Sequence, residues 1–377
     1  MSDNTKKVAI ITRHAVSNYG SVLQAYALQK AIGSFGFESE IIDYIRFDED
    51  YKNIADTLVK KSSWNKNIAT RLVYKSIQSP EYIKMGRAFE KYRKNLLIES
   101  STRYCSIDEL KKNPPKADIY CTGSDQVWGA IGNDEIDGAY FLDFVPDSKK
   151  KIAYAASFGK TEASHKSSKK LRKYLSSYDY ITVREKSAVE IINKLGLNNV
   201  TQVLDPTLLL DKNEWSKLID NDINDKYVLL YQLHSNPEMD CYADEFAKKA
   251  GLKLIRLTPL FHRTFKSGKA VYLPDISTFL SYIKNAEYMI TDSFHGTAFA
   301  INFNTQFIDI LPGETKTRNQ SILELAELSE RILNDYNDFS FIDNKIDFTN
   351  SNEKIAQSRV QSLELLYKML TTVSDKN

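Results

Sequence analysis

The sequence predicts an α/β protein made of two doubly wound units in series. Short β-branched runs without strict polar alternation recur between helical patterns, which is typical of parallel strands covered by helices on both faces. This rhythm occurs in each half of the chain, and 377 residues exceed what one hydrophobic core usually supports.

The elements follow one another at short intervals. Predicted strands in the first half are Val8–His14, Ser39–Ile45, Asp118–Gly123, Ile152–Phe158, Tyr180–Arg184 and Val200–Leu204. Those in the second half are Tyr227–Leu233, Leu252–Leu257, Tyr288–Asp292 and Gln306–Leu311, with helices near 237–250, 275–286, 294–303 and 319–330.

The join between the halves is predicted near Pro206–Trp215, where a leucine run precedes the polar sequence Asp-Lys-Asn-Glu. The expected domains are residues 1–208, with a helical insertion near 48–101, and residues 209–335. Residues 336–377 are expected to form a C-terminal helical segment that packs back on the first domain, because apolar residues from Ile355 to Leu370 recur near helical spacing.

The charge balance is nearly neutral. A net charge of +2, from 51 basic and 49 acidic residues, gives no overall electrostatic reason to expect nucleic acid or a strongly anionic membrane as a partner. The basic clusters at 60–63 and 166–170 are short and diluted by serine. Solvated surface is the favoured interpretation, and contact with a membrane surface is the alternative.

Targeting and redox features point to the cytoplasm. The apolar run Val8–Ile11 is far too short for a signal-peptide core, and no stretch approaches the roughly 18 apolar residues of a spanning helix. Cys105, Cys121 and Cys241 lack metal-ligand spacing and suit reduced thiols. We expect a cytoplasmic protein without a metal, in at most peripheral contact with the inner face of a membrane.

The first motif runs from Arg13 to Leu28, directly after the first predicted strand. A strand, a turn with Gly20 and a helix start expose backbone N–H groups at the carboxyl edge of a sheet, where anions and sugars bind. Asn18, Ser21 and Gln24 cluster at this helix start, although a turn and cap alone would also explain them. Gly20 stands alone, so a dinucleotide fingerprint is excluded.

The second motif, Cys121–Trp128, follows another buried strand and contains Asp125, Gln126 and Trp128. A carboxylate, an amide and an indole form a typical sugar-binding set. Capping of the next helix by Ser124 and Asp125 is the alternative.

The third motif, Val183–Ala188, places Arg184 where a strand turns into a helix. A planar guanidinium suits a carboxylate or phosphate. An ion pair with Glu185 is the alternative.

The fourth motif, Thr291–Ala300, holds His295 at a helix start beside small residues such as Gly296 and Thr297. A histidine there is a titratable group beside a ready anion site. We therefore interpret His295 as a catalytic or ligand-binding residue, although a lone histidine is more often structural.

In this order, over about residues 7–328, the four motifs resemble the polysaccharide pyruvyl transferase family. The matching segments read N-Y-G-S-V-L-Q-A-Y-A-L, G-S-D-Q-V-W, V-R-E-K-S with D-P-T-L-L-L behind it, and T-D-S-F-H-G-T-A-F-A. The resemblance implies two Rossmann-like domains facing a cleft in a GT-B-like layout. It also implies phosphoenolpyruvate as donor, with the first domain on the acceptor side and the second on the donor side.

One donor-site residue of the family has no match in this sequence. His295 and Arg184 match the family's donor-site histidine and arginine, but Ser293 stands where many members have an arginine. Arg318, or Arg256 and Arg263, are the candidates to replace that charge. The expected donor-binding residues are Arg184, Ser293, His295, Gly296, Thr297 and Arg318. The expected residues of the acceptor side or the cleft lining are Arg13, Asn18, Gly20, Ser21, Gln24, Gln126 and Trp128.

The expected reaction joins a pyruvyl group to a hydroxyl pair of a polysaccharide or lipid-linked oligosaccharide as a cyclic ketal. His295 is expected to bind phosphate or act as general acid, and Asp125 to act as base. Phosphoenolpyruvate is a co-substrate, and no cofactor is expected. The alternatives are a glycosyltransferase that uses a nucleotide sugar and a non-catalytic carbohydrate-binding protein.

Overall fold

The computed structural model describes residues 5–131, 135–159, 162, 165–313 and 316–373, without the side chains of Lys61, His165 and Lys166. The chain forms two compact units. Unit 1 is Met1–Pro206 together with Ser362–Asn377, and unit 2 is Thr207–Gln361. Each unit is an α/β sheet structure, so the predicted fold class is confirmed.

Unit 1 is built on a parallel sheet of seven strands in the order β3-β2-β1-β4-β5-β6-β7. The strands are β1 Lys7–Ile11, β2 Glu38–Tyr44, β3 Glu99–Tyr104, β4 Ile119–Thr122, β5 Lys150–Ala156, β6 Tyr180–Val183 and β7 Val200–Gln202. The helices are α1 Tyr19–Ser34, α2 Ile54–Lys61, α3 Ile68–Leu96, α4 Ile107–Lys112, α5 His165–Leu175 and α6 Lys186–Lys194.

Unit 2 is built on a parallel sheet of five strands in the order β10-β9-β8-β11-β12. These are β8 Tyr227–Tyr231, β9 Lys253–Thr258, β10 Lys269–Tyr272, β11 Tyr288–Thr291 and β12 Phe307–Asp309. The helices are α7 Lys212–Ser216, α8 Pro237–Lys249, α9 Ile276–Lys284, α10 Phe294–Phe303 and α11 Lys316–Leu325. A last helix, α12 Thr349–Thr371, begins in unit 2 and contributes its final residues to unit 1.

Both sheets are buried at their centres because helices cover both faces. All residues of β4, β5, β8 and β11 are buried. This explains why these segments lack polar alternation. Among the described residues, no helix is long and apolar enough to cross a membrane.

Each sheet order reverses direction at one place. In unit 1 the reversal lies between β1 and β4, and in unit 2 it lies between β8 and β11. At such a switch point the loops after the two strands leave in opposite directions and open a crevice at the carboxyl edge, where ligands of doubly wound sheets bind. Three of the predicted motifs lie directly after these strands.

Candidate functional site

The loop after β1 begins the unit 1 switch point and enters α1 through an N-cap. The Asn18 side chain accepts a hydrogen bond from Gly20 N at 2.8 Å, so both residues build the start of the helix. Ser21, one residue further along, directs its hydroxyl toward the loop after β4 and donates to the Asp125 carboxylate at 2.7 Å. The first and second motifs therefore meet in space, as expected from their strand ends.

Asp125 is the centre of this edge. Its φ of 75° lies in the left-handed region, which residues with a Cβ rarely adopt. One carboxylate oxygen accepts from Ser21 and the other from Gln126 N at 2.8 Å, while the side chain keeps 12% exposure. A strained backbone that holds a partly exposed carboxylate is typical of functional positions.

Arg184 lies behind Asp125 and not at the surface. Its side chain has no exposure, and its nitrogens lie 2.9 Å from Asp205, 3.4 Å from Asp125 and 3.6 Å from Glu185. Burial alone lowers the pKa of Arg184, but the three carboxylates outweigh burial and raise it. The unexposed guanidinium therefore holds Asp125 in place, and the predicted role of Arg184 in donor binding stays a prediction.

Arg13 is a more accessible cation of unit 1. Its Nε donates to Glu49 at 2.8 Å, and 27% of its side chain is exposed. Burial lowers the pKa of Arg13, but the Glu49 and Asp125 carboxylates outweigh this effect and raise it. Arg13 is therefore a permanent positive charge near Asp125, and its predicted place on the acceptor side or the cleft lining stays a prediction.

Two residues predicted to line this edge lie in the interior. Trp128 is 1% exposed, stacks on Phe141 and donates its indole N–H to Tyr140 O at 3.2 Å. Gln24 is fully buried and donates to Thr12 Oγ1 at 2.9 Å. Each of these two side chains packs inside unit 1, and their predicted place on the acceptor side or the cleft lining stays a prediction.

Gln126 has a packing role on the same loop. Gly159 has a φ of +66°, and a Cβ at this position would lie 2.4 Å from the Gln126 amide nitrogen. Gln126 therefore lies directly against the Gly159 backbone. Its predicted contact with an acceptor stays a prediction.

In unit 2, α10 starts immediately after β11 and lies tight against it. Ser293 is the N-cap, and its hydroxyl accepts from Gly296 N at 3.2 Å. A Cβ at Gly296 would lie 2.5 Å from Thr291 Oγ1, so only glycine fits there. The Gly296 N–H that was expected to hold a donor anion is used by this cap, which gives Ser293 and Gly296 a structural role.

His295 occupies the first turn of α10 and is 6% exposed. Its ring makes an edge contact with Phe294. This placement agrees with the predicted helix start. Its catalytic or phosphate-binding role stays a prediction.

A buried carboxyl links the starts of α10 and α11. Asp309, at the end of β12, is hydrogen-bonded to the Thr297 hydroxyl and accepts from Asn319 Nδ2 at 2.9 Å. Burial raises the pKa of Asp309 to about 7, although both hydrogen bonds act in the opposite direction. Thr297 is fully buried and faces this carboxyl, so it stabilises the helix start. Arg318 precedes Asn319 and is half-buried in the first turn of α11.

Sequence reasoning missed a histidine–aspartate pair at the unit 2 switch point. His234 follows β8, and its Nδ1 lies 3.0 Å from Oδ2 of Asp292, which follows β11. The carboxylate is buried and also accepts from Leu233 N at 2.6 Å and His234 N at 2.9 Å. The His234 side chain is 56% exposed. One feature of the sequence could have revealed this pair. His234 is a polar residue that follows the buried strand β8, and β8 pairs with β11, the strand of the fourth motif.

Hydrogen bonds from Arg263 hold the loop that carries His234. Arg263 is buried and donates to Gln232 O and, at 3.1 Å, to Leu233 O. Burial lowers the pKa of Arg263, with Asp292 and Asp240 opposing that shift. Arg256 is 1% exposed and pairs with Asp240 at 2.7 Å. Both arginines are therefore structural, which leaves Arg318 as the candidate replacement for the charge missing at Ser293.

One further cluster has metal-ligand chemistry. His14 Nε2 lies 3.5 Å from Asp43 Oδ1 and 3.5 Å from Glu99 Oε1, and all three residues lie inside unit 1. Arg103 already pairs with Asp43 at 2.7 Å, and Arg93 pairs with Glu99 at 3.0 Å. A divalent cation would add excess positive charge to a buried group that the arginines neutralise. The charge balance favours a structural role.

Comparison with known proteins places these features in a family. A family model described as polysaccharide pyruvyl transferase matches residues 18–311. No curated protein sequence matches the chain. This matched range includes the first motif from Asn18 onward and the other three motifs completely.

Solved structures show a shared fold. A Listeria monocytogenes protein described as UDP-N-acetylglucosamine 2-epimerase is 12% identical, with a TM-score of 0.52, and 97% of each chain is covered. The heptosyltransferase WaaC of E. coli with ADP-2-deoxy-2-fluoro heptose is 12% identical with a TM-score of 0.36, over 81% of this chain and 88% of that one. The likeness to the Listeria monocytogenes protein, together with the two parallel sheets, confirms the expected GT-B-like fold class.

Proposed function

Because the chain belongs to the polysaccharide pyruvyl transferase family, we propose that it transfers a pyruvyl group from phosphoenolpyruvate to two hydroxyls of one sugar. The acceptor is a polysaccharide or its lipid-linked precursor, and the product is a cyclic ketal. The observation that carries the donor assignment is the pairing of exposed His234 with buried Asp292 beside His295.

The reaction needs one proton donor and one proton acceptor. Protonation of the methylene carbon turns it into a methyl group and makes the adjacent carbon electrophilic. The first hydroxyl oxygen then bonds to that carbon and gives its proton to a base. The bond from this carbon to the phosphate oxygen breaks next, phosphate leaves, and the second hydroxyl closes the ring while its proton passes to the departing phosphate.

His234 is our candidate for the acid. Asp292 accepts a hydrogen bond from Nδ1, which leaves Nε2 to exchange a proton with a ligand. His295 is much less exposed and sits at a helix start, so we assign it to phosphate binding. Arg318 is the proposed second cation for the donor.

Asp125 is our candidate for the base. Its carboxylate is held by Ser21 and Arg184, and part of its side chain remains exposed. Arg13 contributes positive charge near this carboxylate. A fixed, partly exposed carboxylate suits proton removal from a hydroxyl.

The test is release of phosphate from phosphoenolpyruvate in the presence of glycan acceptors, with mass spectrometry of the glycan product. We expect phosphate release to depend on acceptor and the glycan to gain a pyruvyl increment. A glycosyltransferase would instead be protected against heat unfolding by uridine nucleotides and would leave phosphoenolpyruvate unchanged. A purely carbohydrate-binding protein would release no phosphate with any acceptor.

A further inference from the structure

A basic and apolar segment of unit 1 has no role in the proposed chemistry. We define the basic arm as residues 57–80, which span the end of α2, the connecting loop and the first half of α3. The arm contains no aspartate or glutamate, although the whole chain is almost neutral. Its basic residues are Lys60, Lys61, Lys66, Arg71 and Lys75.

The basic arm also exposes large apolar side chains. Their exposures are Trp64 44%, Ile68 73%, Leu72 60%, Val73 46% and Ile77 62%. Ile68 and Leu72 lie one helical turn apart, as do Val73 and Ile77, and at 3.6 residues per turn the four side chains are spread over roughly half of the helix circumference. A cluster of this kind is unusual on a soluble surface and marks an interaction site.

The charge of the arm selects the partner. We propose that the basic arm binds the surface of an anionic phospholipid bilayer, with Trp64, Ile68, Leu72 and Ile77 inserted at the headgroup level. Exposed Lys66 and Arg71 then contact lipid phosphates, in the way that interfacial amphipathic helices bind. Tryptophan prefers this depth in a bilayer.

Self-association explains the arm less well. A symmetric pair would place the same patch of each copy against the other. Lys75 pairs with Asp56 at 2.6 Å, but the other cations of both arms, Lys66 and Arg71 among them, would then lie together, and like charges at an interface are unfavourable. An anionic bilayer accepts both the apolar side chains and the charges.

The test is co-sedimentation of the full chain with vesicles of equimolar phosphatidylglycerol and phosphatidylcholine, or of phosphatidylcholine alone. We expect binding to the anionic vesicles only, and weaker binding at high salt. Lys66→Gln/Arg71→Gln should reduce partitioning roughly 25-fold, at about fivefold for each cation. Leu72→Ser/Ile77→Ser should reduce it by about tenfold or more.

The matched controls carry the same changes elsewhere. Lys112→Gln/Lys116→Gln removes two exposed charges, and Val360→Ser/Val373→Ser removes two exposed apolar side chains. Both controls should bind as the wild type does. The changed positions of the arm are exposed, so melting temperatures should stay close to that of the wild type.

Three results would overturn the proposal: no binding to anionic vesicles, equal binding to phosphatidylcholine, or equal losses in the controls. Light scattering that shows a dimer broken by Leu72→Ser/Ile77→Ser, without vesicle binding, would assign the arm to self-association. The assay contains no donor or acceptor, so its failure is separate from any failure of pyruvyl transfer.

Discussion

The carboxyl edges of the two sheets place charge in opposite ways. In unit 1 the cation paired with Asp125 is buried: Arg184 has no exposure and binds three carboxylates, of which Asp125 is the one that reaches the edge. In unit 2 the carboxylate of Asp292 is buried and the titratable His234 is exposed. The unit 1 edge therefore fixes a charge, whereas the unit 2 edge presents a group that can exchange a proton.

The largest expected effect is on turnover from the unit 2 edge. His234→Ala should lower phosphate release about 10²- to 10⁴-fold because it removes the proposed acid. His234→Gln should not restore activity, since an amide cannot exchange the proton. Stability should change little because the side chain is more than half exposed. The measurement is steady-state release with saturating donor.

His262→Ala is the matched control, since it removes another exposed histidine of unit 2. It should retain normal turnover. Full activity of His234→Ala would contradict the proposal that the unit 2 edge presents the group that exchanges a proton. A further variant, His295→Gln, tests the role of His295. If this variant largely retains turnover, the result would support the assignment of His295 to phosphate binding.

The next effect should appear in stability at the unit 1 edge. Arg184→Ala leaves three carboxylates without their shared cation, which should reduce the free energy of unfolding by about 3 to 5 kcal/mol. The measurement is urea unfolding. Arg184→Ala/Asp205→Asn should recover part of the loss because one uncompensated charge is removed. Wild-type stability in the single variant would show that Arg184 does not hold the edge together.

A smaller effect concerns the close contact of α10 with β11. Gly296→Ala should lower the free energy of unfolding by about 1 to 3 kcal/mol, because the new methyl group meets Thr291. Gly33→Ala, in helix α1 with open space around its Cα, should be neutral or stabilising. Equal effects of the two changes in thermal unfolding would contradict the tight packing of the unit 2 edge.

The smallest effect should be a change in pH dependence. Because the pKa of Asp309 is raised to about 7 in the folded chain, the folded state binds the proton more tightly than the unfolded state. This contribution to stability is complete below the unfolded pKa of about 4 and is lost as pH rises through about 7. Asp309→Asn should remove that part of the slope in unfolding experiments between pH 5 and pH 8. An unchanged slope of stability against pH in Asp309→Asn would contradict this contribution of Asp309.

The buried parallel strands were predictable, whereas the two edge strands β3 and β10 were not. β1, β4 and β8 are apolar runs, whereas β3 reads Glu-Ser-Ser-Thr-Arg-Tyr and β10 reads Lys-Ala-Val-Tyr. An edge strand is partly solvated and has one neighbour, so its apolar pattern is weak. Both missed strands lie at the edge of their sheet next to correctly predicted ones.

The motifs predicted where the edges lie but not what each side chain does. Arg184 pairs with Asp205, which is 21 positions away, and Trp128 stacks in a cluster drawn from several elements. The His234–Asp292 pair joins residues 58 positions apart. A local pattern contains none of these partners, so exposure and pairing had to come from the folded chain.

The path of the chain also bears on synthesis. Unit 1 includes Ser362–Asn377, where the Ser362 hydroxyl accepts a hydrogen bond from Leu204 N at 3.1 Å and the Lys150 ammonium donates to Leu370 O. Leu366, Met369 and Leu370 are buried there. A ribosome therefore delivers most of unit 1 first and its last helical turns only after all of unit 2. The first unit to emerge is therefore the last one to be completed, and the surface that Leu366, Met369 and Leu370 cover stays uncovered until the last helix has been made.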